Sequence, residues 1–131
     1  MKKLLISAAI TGTAGSKELS PYIPITAEEI AEETVAVAKA GASMVHIHVH
    51  DKDGKPTMDA GYFRDAFEAV KEATEKAGVD IIVNLTTSGG SYVTEERLAH
   101  LKALRPEVCS YDAGTFNWGL GAIFENSPDF L

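Results

Sequence analysis

The chain of 131 residues has the size of one ordinary domain, and its 45% hydrophobic content is enough for a buried core. Asp and Glu outnumber Lys and Arg by 19 to 12, and the formal net charge of -7 argues against nucleic acid or an anionic membrane as a partner. The single cysteine excludes an internal disulfide, and no stretch approaches the ~20 apolar residues of a membrane span, so we expect a cytoplasmic protein that acts on a small molecule.

The first half of the chain reads as strand, loop, helix and strand. A nearly continuous apolar run at 4–10 predicts a strand covered on both faces, and the Gly-, Ser-, Thr- and Pro-rich residues 11–24 predict a long functional loop. Thr26 and Glu29 have the spacing of a capping box, so a helix is expected to begin there. Residues 42–49 then predict a second strand.

The second half continues the alternation. It predicts a helix at about 59–77, a strand at 80–85, a helix from Thr94 to Pro106 with Leu98, Leu101 and Leu104 on its buried stripe, a strand at 108–112 and a loop at 113–121. Cys109 lies in an apolar run and is expected to be a packed thiol. The strict order of strands and helices predicts an α/β fold with a parallel sheet and right-handed crossovers.

Three histidines alternate with apolar residues along the second predicted strand. Because strand side chains alternate between faces, His46, His48 and His50 are expected to share one face. Neutral imidazole is the commonest metal ligand, and two imidazoles two residues apart can lean towards one ion. The alternative is that these histidines make ordinary buried hydrogen bonds. A third ligand is not evident, although Asp112 is one candidate.

Polar residues also follow the end of each predicted strand. They are Thr11, His48 and His50, the loop residues Thr86, Thr87, Ser88 and Gly89, and Ser110 and Asp112. Carboxyl ends of parallel strands meet at one edge, which is where α/β sheets and barrels place their active sites. The hydroxyls and the glycine amides would suit a carboxylate or a phosphate, so we expect these residues to bind the substrate.

An ordered series of short motifs along the whole chain resembles the N-terminal half of the β-keto acid cleavage enzymes, the family of 3-keto-5-aminohexanoate cleavage enzyme. The motifs lie at residues 8–12 (AAITG), 24–29 (PITAEE), 40–42 (AGA), 46–48 (HIH), 84–87 (NLTT), 105–107 (RPE), 114–119 (GTFNWG) and 124–128 (FENSP). Such a series is far more specific than His-x-His alone.

The resemblance implies a (β/α)8 barrel of the TIM type, of which residues 1–131 would form a single partial domain with about the first four β/α units. It implies a divalent metal, usually zinc, held by His46 and His48, with Thr86 as the catalytic hydroxyl and with Ser110 and Asp112 as substrate contacts. The implied reaction converts a β-keto acid and acetyl-CoA into acetoacetate and a new acyl-CoA.

Two departures from the family pattern carry further expectations. Ala14 stands where members that use an amino-keto acid have Glu, which disfavours a cationic amino substrate. The family's third metal ligand, a glutamate, and its catalytic arginine–aspartate pair belong to the other half of the barrel. We therefore expect a truncated chain that is inactive alone and associates with itself or with a second half.

Two other functions are compatible with the sequence. One is a non-catalytic half-barrel that binds a small carboxylate or serves as an assembly unit. The other is a metal-dependent hydrolase of the barrel class, although those enzymes carry His-x-His on the first strand, and here the first strand has no histidine.

Overall fold

The computed structural model describes residues 3–89, 94–119 and 121–131 and has the predicted α/β alternation. The helices are α1 Ala27–Lys39, α2 Ala60–Ala77 and α3 Thr94–Leu104; the strands are β1 Ser7–Ala9, β2 Met44–Ile47, β3 Val49–His50, β4 Pro56–Thr57, β5 Ile82–Leu85, β6 Val108–Cys109, β7 Phe116–Trp118 and β8 Ala122–Phe124. Strands β1, β2, β5 and β6 form one parallel sheet in that order, as expected.

Local sequence signals fix the ends of the first two helices. The Thr26 hydroxyl accepts from the Glu29 amide at 3.2 Å, and the Glu29 carboxylate accepts from the Thr26 amide at 3.2 Å, so the predicted capping box is confirmed. Asp59 caps α2 by accepting from the Gly61 amide, and Gly78 ends α2 in the left-handed conformation at φ 63°. None of the helices in the described segments is long and apolar enough to cross a membrane.

The hydrophobic core lies between the sheet and the helices. Its fully buried members include Ile30 of α1, Val45 and Ile47 of β2, Phe63 of α2 and Leu85 of β5. The alternation of side chains along β2 and β5 directs Val45, Ile47 and Leu85 towards the helices and leaves the polar side chains of the same strands on the opposite face. The polar side chains of the sheet, such as His46 and Asn84, therefore lie on the face that the described helices do not cover.

The two outer strands are less buried than the sequence predicted. Residues before β1 were expected to be covered on both faces, but Leu4 is 80% and Leu5 56% exposed. Cys109 of β6, expected to be a packed thiol, is exposed. Both expectations were wrong for the same reason. β1 and β6 are the two edge strands of the parallel sheet, so each has a neighbouring strand on one side and is less covered than a central strand.

The predicted second strand is interrupted at His48. The Thr11 hydroxyl accepts the His48 backbone N–H at 2.9 Å, and the chain then enters β3, which pairs antiparallel with β4. The predicted continuous strand over 42–49 was therefore wrong, because a side chain takes the place of a ladder hydrogen bond at this point.

The predicted loop at 113–121 was also wrong, since β7 and β8 form an antiparallel hairpin. The predicted helix start at Thr94 is confirmed, since α3 begins at that residue, and residues 90–93 before it lie outside the described ranges. Gly90 of the predicted ligand-binding loop lies there too.

Candidate active site

The structure brings His46 and His48 together as a pair. Their Nε2 atoms are 3.1 Å apart, and the rings meet edge to face with their centroids at 4.9 Å and an interplanar angle of 80°. Both side chains are half-buried. The two nitrogens that face each other are therefore those that a shared ligand would contact.

The other nitrogen of each ring is held by an oxygen from a different part of the chain. His46 Nδ1 donates to Asn84 Oδ1 at 2.8 Å, and His48 Nδ1 lies 3.0 Å from Thr13 Oγ1. A proton on His46 Nδ1 leaves its Nε2 lone pair free, which is the tautomer that a metal requires. Asn84 was not predicted as a site residue, although it is the direct partner of His46 in the β2–β5 register.

The electrostatic environment keeps the His48 imidazole neutral. Burial, reinforced by the neighbouring His46 and His50 rings, lowers the pKa of His48 to about 4. At neutral pH the His48 ring is therefore uncharged, which is the charge state in which imidazole binds a cation.

The His46–His48 geometry fits two ligands of a small cation. With metal–nitrogen bonds of about 2.0–2.1 Å, two Nε2 atoms 3.1 Å apart subtend an angle of about 100° at the metal, near the tetrahedral value. Within the described ranges, no group of three or more His, Cys, Asp and Glu side chains could hold a metal ion. The predicted alternative of Asp112 as a third ligand is therefore not seen in these segments.

His50 makes no hydrogen bond with the His46–His48 pair within the described residues. It belongs to β3, beyond the break at His48, and it is 3% exposed. The expectation that three histidines share one face was therefore wrong. Neither ring nitrogen makes a hydrogen bond of normal geometry within the described residues. Burial lowers the His50 pKa, and only the nearby carbonyl of Gly15 and the charge of Asp51 oppose this effect.

The predicted hydroxyl cluster forms, but much of its hydrogen bonding is internal. Thr86 Oγ1 accepts from the Ser88 amide at 2.9 Å, and the Thr87 amide donates to Ser110 Oγ at 2.8 Å. Thr87 Oγ1 also donates to the Ser110 carbonyl at 3.1 Å. Thr86 and Thr87 are buried. These contacts fix the shape of the loop that follows β5 and join it to the end of β6.

Two residues of α3 hold the same loop from behind, and neither was predicted. His100 Nε2 donates to the Thr86 carbonyl at 2.9 Å, and Arg97 Nε donates to the Thr87 carbonyl at 3.0 Å. Both side chains are buried, whereas the predicted leucine stripe of α3 is only half-buried. The spacing of Arg97 and His100, three residues apart on a helix, was the available signal that they share a face.

Arg97 also joins this loop to the segment after β8. Its Nη1 donates to the Glu125 carbonyl and its Nη2 to Asn126 Oδ1, both at 2.8 Å, and its guanidinium lies 3.9 Å from the Phe130 ring centroid. Burial lowers the pKa of Arg97, while the negative charges of Asp112 and Glu125 oppose that effect. Asp112 is half-buried and belongs to this electrostatic environment.

Gly89 has a packing role that the sequence did not indicate. A Cβ at this position would lie 2.8 Å from Met58 Cγ and 3.2 Å from Arg97 Cγ. The backbone of Gly89 thus approaches two side chains too closely for any other residue without movement.

Comparisons with known proteins agree on one family. A family model described as beta-keto acid cleavage enzyme matches residues 3–131. The chain is 41% identical, over its whole length, to 47% of the 3-keto-5-aminohexanoate cleavage enzyme of Fusobacterium nucleatum. It is 36% identical, over 95% of its length, to 39% of the 3,5-dioxohexanoate:acetyl-CoA acetone transferase of Paraburkholderia graminis. The chain spans about half the length of the curated relatives it matches.

A solved structure gives the same result for the fold. ObcA, in its ternary complex with a C4-CoA adduct and oxalate, superposes with a TM-score of 0.70 at 28% identity, covering 85% of this chain and 28% of that one. The α/β alternation, the parallel sheet and this partial coverage fit the predicted (β/α)8 class, with about the first four units present. The chain belongs to the β-keto acid cleavage enzyme family.

Proposed function

We propose that this chain carries the metal-binding half of the active site of an enzyme that converts a β-keto acid and acetyl-CoA into acetoacetate and a new acyl-CoA. The observation that carries the proposal is the His46–His48 pair, with its Nε2 atoms 3.1 Å apart and each Nδ1 beside a side-chain oxygen. The names of three relatives include acetyl-CoA as a co-substrate, which supports the reaction class.

His46 and His48 would hold a divalent metal, for which zinc is our proposal because imidazole nitrogen at tetrahedral angles suits it. When bound, such an ion supplies Lewis-acid polarisation of a carbonyl oxygen. Asn84 and Thr13 fix the orientation of the two rings, and the low pKa of His48 keeps its ring neutral. The two rings therefore need to move little when a metal binds between them.

We propose that the substrate carboxylate lies against the loop after β5. Thr86 is the proposed catalytic hydroxyl, since its Oγ1 accepts the Ser88 amide and its own proton remains available to a substrate oxygen. The remaining predicted substrate contacts are Thr11, His50, Thr87, Ser88, Gly89, Ser110 and Asp112. Thr11, Thr87 and Ser110 would act mainly by holding the backbone, given the hydrogen bonds that they already make.

A second barrel half would complete the site. The outer strands β1 and β6 lie at the ends of the strand order, and Leu4, Leu5 and Tyr111 are 80%, 56% and 67% exposed. Exposed apolar residues beside a sheet edge favour association. We propose that this surface pairs with the second half of the barrel, or with another copy of the chain, in a cytoplasmic enzyme.

The metal site is testable on the 131 residues themselves. Zinc should bind the untagged chain at about one ion per chain, as measured by calorimetry, and His46→Ala or His48→Ala should abolish binding. The matched control is His50→Gln, which removes an imidazole outside the pair and should retain zinc. Stoichiometric zinc in the His46→Ala/His48→Ala double variant would refute the site.

The reaction is tested by acetoacetate release from acetyl-CoA and a panel of β-keto acids. The chain alone should be inactive, whereas the chain extended with the second half of the Fusobacterium nucleatum relative should turn over. The intact relative serves as the positive control. Turnover by the 131 residues alone would contradict the need for a second half.

A further inference from the structure

A cavity of about 360 Å³ opens beside His48, and its walls are largely apolar. The walls are formed by Val49, Met58, Trp118 and Phe124, with the side chains of Thr57 and Ser88 among them. This volume is near the lower end of the ~300–1,000 Å³ of small-molecule sites, so the cavity suits a group of a few carbon atoms. Because His48 also lines it, the cavity adjoins one of the two proposed metal ligands.

Two side chains of the apolar wall are well packed. Met58 and Phe124 are 4% and 8% exposed, and the Trp118 and Phe124 ring centroids lie 5.8 Å apart. The close approach of Gly89 to Met58 leaves that side chain little room to move. Met58 and Phe124 therefore form the well-packed part of the apolar wall, whereas Trp118 is 61% exposed.

No charged residue lines this cavity within the segments that the structure describes. The guanidinium of Arg97 lies 5.4 Å from the centroid of the Phe124 ring, which forms part of the aromatic wall. All three nitrogens of Arg97 already donate to protein oxygens. A charged ligand tail would lose its water here without gaining a counter-ion, whereas each buried methylene would strengthen binding about fourfold.

We propose that this cavity binds the tail of the β-keto acid and selects a short, uncharged, apolar tail. The inference rests on the proposed function, since it takes the reacting end of the keto acid to lie at the His46–His48 pair. Two relatives are named for keto acids with a charged tail, the amino group of 3-keto-5-aminohexanoate and the second carboxylate of 3-oxoadipate. The preference proposed for this chain therefore differs from the tail chemistry in both names.

Trp118 is the sole tryptophan of the chain, so its fluorescence reports directly on the cavity wall. We would titrate the zinc-loaded and zinc-free chain with hexanoate, adipate and 6-aminohexanoate, which are stable six-carbon acids with neutral, anionic and cationic tails. Hexanoate should shift the Trp118 emission and bind at least tenfold more tightly than the other two. Extending butanoate to hexanoate should tighten binding about fifteenfold.

A matched pair of variants changes the charge of the wall. Thr57 is half-buried and lines the cavity. Thr57→Glu should weaken hexanoate binding and should strengthen 6-aminohexanoate binding at least tenfold relative to hexanoate binding. The control Thr57→Gln, which is isosteric with Thr57→Glu, should retain the wild-type order of affinity for the three acids. Equal affinity for the three acids, a preference for a charged tail, or no response of Trp118 to any acid would overturn the inference.

The outcomes separate this inference from the proposed function. Failure of zinc to bind, with hexanoate preference retained, would refute the metal site and keep the apolar tail pocket. Normal zinc binding with no preference among the three acids would refute the pocket and leave the proposed function in place.

Discussion

The hydrogen bond between Asn84 and His46 provides the sharpest test of the candidate site. In Asn84→Ala the oxygen 2.8 Å from His46 Nδ1 is lost, so the ring can rotate or move its proton to Nε2, the nitrogen that a metal needs. Partners of metal-binding histidines typically contribute 10–100-fold in affinity, or about 1.4–2.7 kcal/mol. We expect zinc affinity, measured by competition with a chromophoric chelator at pH 7.5, to fall by that factor.

Two control variants identify the cause of such a loss. Asn84→Asp retains an acceptor for the Nδ1 proton and should bind zinc within about threefold of wild type. Thr13→Val removes the oxygen beside His48, and it should have a smaller effect because Thr13 is exposed and water can replace its hydroxyl. Thermal unfolding would show that each variant is folded. An Asn84→Ala variant that is folded and binds zinc within threefold of wild type would refute the role of the amide.

Three further predictions concern stability. Arg97→Met leaves two buried acceptors and one part-buried acceptor unpaired, and it should lower the free energy of unfolding, measured in urea, by about 3–5 kcal/mol. The exposed control Arg64→Met should change it by less than about 0.5 kcal/mol. A loss below about 1 kcal/mol for Arg97→Met would contradict this. Burial lowers the pKa of His100 below 6.5, so as the pH falls the unfolded chain binds a proton before the folded chain does, and the free energy of unfolding should fall below about pH 6.5. In His100→Gln, urea titrations from pH 7 to 5 should show a smaller decrease in the free energy of unfolding. The same decrease in the variant and the wild type would argue against this role of His100. Thr26→Ala removes the cap of α1 and should cost about 1 kcal/mol, against no measurable change for the exposed Glu33→Ala; equal effects of the two would exclude capping as the cause.

The sequence predicted those features that depend on neighbouring residues. The capping box at Thr26 and the alternation of strands and helices are both local patterns, and the structure confirms them. The pairing of His46 with His48 also followed from spacing alone, since residues two apart on a strand share a face.

Features that depend on distant residues could not be predicted in the same way. The break at His48 arises from the Thr11 hydroxyl, which is 37 positions away, and it removes His50 from the face that periodicity assigned to it. The partnership of Asn84 with His46 requires the register between two strands, which the sequence does not specify. The buried face of α3 was mispredicted because Arg97 and His100 are counted as polar, yet their hydrogen bonds to loop carbonyls compensate for burial.

The long loop after β1 now has a physical role in the site. Thr11 and Thr13 are two residues apart, and their hydroxyls contact the backbone and the ring of the same residue, His48. The first contact ends the strand ladder at His48, and the second orients its imidazole so that Nε2 lies 3.1 Å from that of His46. In a regular strand the backbones of two such residues are about 6.5–7 Å apart, so the rings must lean together to share an ion. The approach of the two nitrogens is thus imposed by the loop after β1 and by Asn84 of β5, and the geometry of the pair is a consequence of the fold.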